Sequence, residues 1–166
     1  MYRFKLVFAM VAATFLSIAP GYAQDSDMAT IADKNGCKVY NPMPQENEAI
    51  SWSGACRDGF ADGNGVLDWF IDGQLQERYE GDLKMGLADG EGTYVSRTGV
   101  RYQGEWKNSL QDGKGTMQNA DGSVYQGQWK EGKPNGWGVL RAPNGETLEG
   151  EWVDGELKSE SGSRRI

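Results

Sequence analysis

From Tyr79 to Leu148 the chain repeats itself with a fixed period of 23 residues, and this period restricts the fold more than any other property of the sequence. The copies open Tyr79-Glu80-Gly81-Asp82-Leu83-Lys84, Tyr102-Gln103-Gly104-Glu105-Trp106-Lys107 and Tyr125-Gln126-Gly127-Gln128-Trp129-Lys130, and Leu148-Glu149-Gly150-Glu151-Trp152 begins a partial one. Units this short cannot each bury a core, so they must stack on their neighbours. The question of function therefore turns first to a scaffold or a binding surface.

A degenerate unit precedes the regular ones. Trp52 takes the tyrosine position, Gly54 the first glycine and Cys56 the place of Leu83, Trp106 and Trp129, while Gly59, Gly63 and Gly65 match Gly86, Gly90 and Gly92. This unit has four extra residues, which fall within Asp68 to Gln76 and are expected to lengthen its second strand and turn. Its Asn41-Pro42-Met43-Pro44 lead-in forbids a regular helix. Residues 24–51 read as a flexible leader, mobile over 24–36, and a cysteine-containing lead-in, residues 52–157 as the repeat sheet and residues 158–166 as a disordered tail.

Within each copy the alternation is that of a half-buried strand. Tyr102, Gly104 and Trp106 share one face, and Gly113, Gly115 and Met117 resume the pattern after a polar connection over 108–112, with Leu67, Tyr94 and Leu140 at the position of Met117. Thr98-Gly99, Asp121-Gly122 and Asn144-Gly145 read as tight turns. Glycine inside a strand normally weakens it. At this spacing it lets a Tyr or Trp ring lie across bare backbone, and the expected fold is an all-β, single-layer, twisted antiparallel meander of about two strands per repeat.

The first 23 residues have a different character. Arg3 and Lys5 precede an uncharged apolar run from Leu6 to Ala19, and Gly21-Tyr22-Ala23 supplies small residues at the end. That order predicts an export signal cut after Ala23, with an exported, periplasmic or secreted product. Loss of Arg3 and Lys5 moves the formal charge from -7 to -9. So acidic a chain disfavours nucleic acid and suits basic partners better. In an oxidising compartment Cys37 and Cys56, the only cysteines, are expected to form a disulfide, contributing about 3 kcal/mol.

The copies resemble the MORN (membrane occupation and recognition nexus) repeat, whose unit reads Y-x-G-x-W followed by G-x-G. The resemblance covers residues 52–155, with departures at Cys56, Leu83, Ser109 and Leu148. It implies a single-layer sheet of stacked hairpins, and the exported setting is similar to small bacterial periplasmic members. It also implies contact with phospholipid, with other proteins or with a second copy. The face opposite the aromatics carries Glu80, Asp82, Lys84, Glu105, Lys107, Gln128 and Lys130, a mixture and not the basic patch that anionic lipids require.

Catalysis finds little support. The chain has no histidine to act as a base, and its paired cysteines leave no nucleophilic thiol. The recurring Glu80, Glu105, Glu149 and Glu151 read as a solvated face. The Asp-Gly stretches at Asp58, Asp62, Asp89 and Asp112 lack the spacing of a calcium loop and read as turn chemistry, and neither metal nor cofactor is expected. Tyr79, Gly81, Tyr102, Gly104, Trp106, Tyr125, Gly127, Trp129, Gly150 and Trp152 read as structural positions. Trp69, Phe70 and Trp137 fall outside the ladder and are the candidate binding residues. The sequence thus favours a non-enzymatic scaffold for a protein partner, with self-association through edge strands, over an envelope lipid or glycan binder.

Overall fold

The computed structural model describes residues 29–160. The expected signal segment and cleavage site lie outside these residues. Thirteen strands form one sheet, and there is no helix among the described residues. From β5 (Phe60–Ile71) onward, β6 (Gln74–Lys84), β7 (Leu87–Ser96), β8 (Arg101–Lys107), β9 (Leu110–Gln118), β10 (Val124–Lys130), β11 (Lys133–Arg141), β12 (Thr147–Val153) and β13 (Glu156–Glu160) follow as an antiparallel meander.

Register explains why the period tolerates no slippage. Gly65, Gly81, Gly92, Gly104, Gly115, Gly127, Gly138 and Gly150 are paired successively, so one file of glycines crosses eight strands. Two residues along runs a second file, Trp52, Leu67, Tyr79, Tyr94, Tyr102, Met117, Tyr125, Leu140 and Leu148. Shifting one strand by a single residue would send both files to the opposite face.

Two kinds of turn alternate. One is a two-residue loop with both residues at positive φ, at Met85-Gly86, Asn108-Ser109, Glu131-Gly132 and Asp154-Gly155. These have the mirror-image geometry that suits the strand twist. The connection after Lys107 is therefore Asn108-Ser109 alone, and Leu110, Gln111 and Asp112, read from sequence as connection, belong to β9. The other is a three-residue loop, such as Arg97-Thr98-Gly99, closed by Ser96 N–H to Val100 O and Gly99 N–H to Ser96 O. Its tight glycine turn follows the expectation, as do those at Gly122 and Gly145. In the first unit the loop is only Asp72-Gly73, so the surplus residues lengthen β5 and β6 and not the turn.

Both ends depart from the sequence reading. Residues 29–36 form β1 (Thr30–Ala32) and a turn in which the Asp33 carboxylate accepts the Asn35 and Cys37 amides. With β2 (Lys38–Tyr40), β1 makes a hairpin that lies on the first two loops: Lys38 N–H donates to Gly59 O and Tyr40 N–H to Gly86 O. Tyr40 stacks on Phe60, Val39 is buried, and Cys37 is bonded to Cys56 with Cα atoms 5.6 Å apart. The short strands β3 (Glu48–Trp52) and β4 (Ala55–Arg57) pair with β5. At the other end Lys158, Ser159 and Glu160 lie in β13, so the sheet runs past the bound at 157. The rest of the expected tail is outside the described residues.

Candidate functional site

The inner face is a ladder of rings. A Cβ placed on Gly92, Gly115 or Gly138 would run into the ring of Tyr79, Tyr102 or Tyr125, and one on Gly81, Gly104 or Gly127 would meet the backbone of the adjacent strand and the hydroxyl of the same tyrosine. Each ring reaches along its own strand, so its hydroxyl donates to a carbonyl three residues on: Tyr79 to Asp82 at 3.0 Å, Tyr102 to Glu105 at 3.0 Å and Tyr125 to Gln128 at 3.1 Å. Trp52 does the same with its indole N–H, at 2.7 Å from Ala55 O, which is how a tryptophan replaces the tyrosine in the first unit.

The tryptophans join one unit to the last. Trp106, Trp129 and Trp152 donate to Gly92 O, Gly115 O and Gly138 O at 3.2, 3.2 and 3.1 Å, each bond reaching back 14 residues. Trp106 stands edge-on between Tyr79 and Tyr102, and Trp129 between Tyr102 and Tyr125, with centroids 4.9–5.5 Å apart. Such contacts contribute beyond the area they bury. Because the rings cover the glycines and one another, a single layer suffices for burial, and Tyr102 is 0% exposed. Burial pushes the Tyr125 hydroxyl up to about 12, and burial raises those of Tyr79 and Tyr102 as well, with nearby carboxylates adding to the rise. The ladder leaves no broad aromatic surface for a ligand.

The other glycine of each unit has a different use. Gly113 takes φ 108° where β8 and β9 shift register between Gly104 and Trp106. This bulge turns its outer side towards Glu105, whose carboxylate accepts the Lys114 amide at 2.8 Å. The aspartate before such a glycine serves the next unit: Asp62 accepts the Met85 amide and Asp112 that of Glu131, each at 3.3 Å. Those aspartates lie within strands, not loops.

The three candidate binding residues are not brought together. Trp69 is half-buried against the core, and its indole N–H reaches the Glu48 carboxylate at 3.3 Å, the same group that accepts from Asn41. Phe70, its neighbour on β5, is also half-buried. Trp137 stands apart on β11, 49% exposed on the outer face. Sequence alternation places Trp137 outward but does not reveal that the lead-in takes up Trp69.

The outer face otherwise holds a mixture of charged and amide side chains. Two shallow polar depressions lie on it, one bordered by Asp89, Glu105, Lys107 and Asp112, the other by Asn64, Glu80, Glu91 and Arg101. Among the described residues no group of carboxylates and cysteines is arranged to hold a metal ion.

The family model of the MORN repeat matches the chain four times, over residues 54–73, 79–101, 102–124 and 125–147, together more than half of its length. A comparison with curated proteins found no match.

Proposed function

Since the chain belongs to the MORN repeat family, whose units commonly serve as protein- or membrane-interaction modules, we propose that it is a non-enzymatic scaffold presenting its outer face to a protein partner. The observation that carries this reading is the division of labour between the faces. Every recurring aromatic of the inner ladder is buried and bonded, which leaves the outer side chains as the accessible, variable surface. Repeat proteins use such extended surfaces for recognition. The Cys37–Cys56 disulfide fits an oxidising compartment, and we place the protein outside the cytoplasm on that basis.

In-cell crosslinking of the chain followed by identification of its neighbours tests the proposal. A reproducible protein neighbour lost on charge reversal of outer-face residues supports it. Crosslinks only to lipid or polysaccharide would favour the second reading, an envelope binder, for which the exposed ring of Trp137 is the supporting observation. Self-association would instead appear as crosslinks between copies through β13, the last strand of the meander.

A further inference from the structure

Between the two glycines of each second strand one residue points outward: Asn64, Glu91, Lys114 and Trp137 in successive units. Each is paired across to the next strand, Asn64 with Asp82, Glu91 with Glu105, Lys114 with Gln128 and Trp137 with Glu151. Of the earlier carboxylates, Asp82 and Glu105 have donors, while among the described residues Glu91 has none and faces a second carboxylate, Glu105. Asp82 accepts from the Asn64 amide at 3.1 Å and Glu105 from the backbone of Lys114 at 2.8 Å. At the last pair the donor is missing. Among the described residues no hydrogen bond or ion pair reaches the Glu151 carboxylate, and the residue opposite it offers an exposed indole face in place of a polar group.

A carboxylate without a donor beside an exposed indole is complementary to one side chain above others. A guanidinium is flat and permanently charged, stacks on tryptophan and donates through a fork to a carboxylate. The lysine ammonium can take the charge contact but lacks the planar stack. Phosphate and other anions are repelled by Glu151 and by the net charge of -7. We infer that Trp137 and Glu151 form a docking site for an arginine on an exposed segment of a protein partner. The flanking Gln126 and Gln128, both exposed on β10, offer acceptors to the backbone of that segment. This rests on the scaffold reading and adds the chemistry of the partner.

The test titrates the full chain with the peptide acetyl-Gly-Arg-Gly-Arg-Gly-amide, its lysine and citrulline counterparts, and a soluble cello-oligosaccharide, followed by the NMR shifts of the indole N–H of Trp137 and the amide of Glu151. The arginine peptide is expected to shift both signals, more weakly as salt rises. Trp137→Ala should weaken binding about fivefold, and Glu151→Gln about tenfold, with thermal midpoints unchanged. Equal binding of the citrulline peptide, no shift with arginine, or saturation by the oligosaccharide at the same signals would overturn the inference. So would a change in the Trp137 signal on deleting residues 161–166 without added peptide, because Arg164 and Arg165 of the chain itself would then be the occupants. If the arginine peptide fails while protein crosslinks persist in cells, only this site is lost; if the crosslinks are absent as well, the scaffold reading falls with it.

Discussion

Alternate residues of the same strands build two faces under different constraints. On β8, β10 and β12 the inward residues are Tyr102, Gly104 and Trp106, then Tyr125, Gly127 and Trp129, then Leu148, Gly150 and Trp152. The outward ones are Gln103 and Glu105, then Gln126 and Gln128, then Glu149 and Glu151. Inside, a ring needs bare backbone beneath it and a second ring beside it, so each position fixes the others. Outside, a side chain meets mainly water and its cross-strand partner, and it can change from one unit to the next. The period is a property of one face, and individuality belongs to the other.

That contrast can be broken by substitution. Tyr102→Ala empties the centre of the ladder and should cost about 4 kcal/mol in urea denaturation. Gly115→Ala adds one methyl group where the Tyr102 ring lies, and a loss of about 3 kcal/mol is expected. Gly122→Ala, in a turn with φ 87° and open space around it, should lose only about 1 kcal/mol through backbone strain. Equal losses at the two glycines would show that the ring does not depend on the bare backbone.

The disulfide tests the sealed end. Replacing Cys37 and Cys56 with serine together should lower stability by about 3 kcal/mol, measured against the parent without reductant. A smaller step is Tyr125→Phe, which removes the hydroxyl donor to Gln128 O and should cost about 1 kcal/mol.

Alkaline titration probes the inner face without mutation. Burial raises the Tyr125 hydroxyl to about 12, above its ordinary value near 10, so the folded state resists its ionisation. Its contribution is complete below pH 10 and is lost as pH rises from there through about 12. Tyrosinate absorbance should therefore lag behind that of the urea-unfolded chain. Least of all, Trp137→Ala should leave stability within about 0.5 kcal/mol.

Much of the inner face was legible because its physics is periodic: the alternation of Tyr102, Gly104 and Trp106 gives strand, facing and register together. The connection at Asn108-Ser109 was not, because serine at positive φ is no turn signal, and only the packing of the loop on Ala88 O reveals it. The order of residues 29–36 depends on the Asp33 turn and on burial of Cys37, contacts that lie outside any repeat. For Trp69 and Trp137 the alternation alone sends Trp137 outward; what it does not show is that Glu48 closes on Trp69, brought there by the pairing of β3 with β5, which no local pattern encodes.

The backward reach of the tryptophan indoles sets an order in time. Tyr125 meets Trp129 of its own unit, but the ring on its other flank, Trp152, arrives only with the next. A chain emerging from its amino terminus therefore always carries one unfinished unit at its growing end. Completion travels with synthesis, each rung closing when the tryptophan of the following unit reaches it.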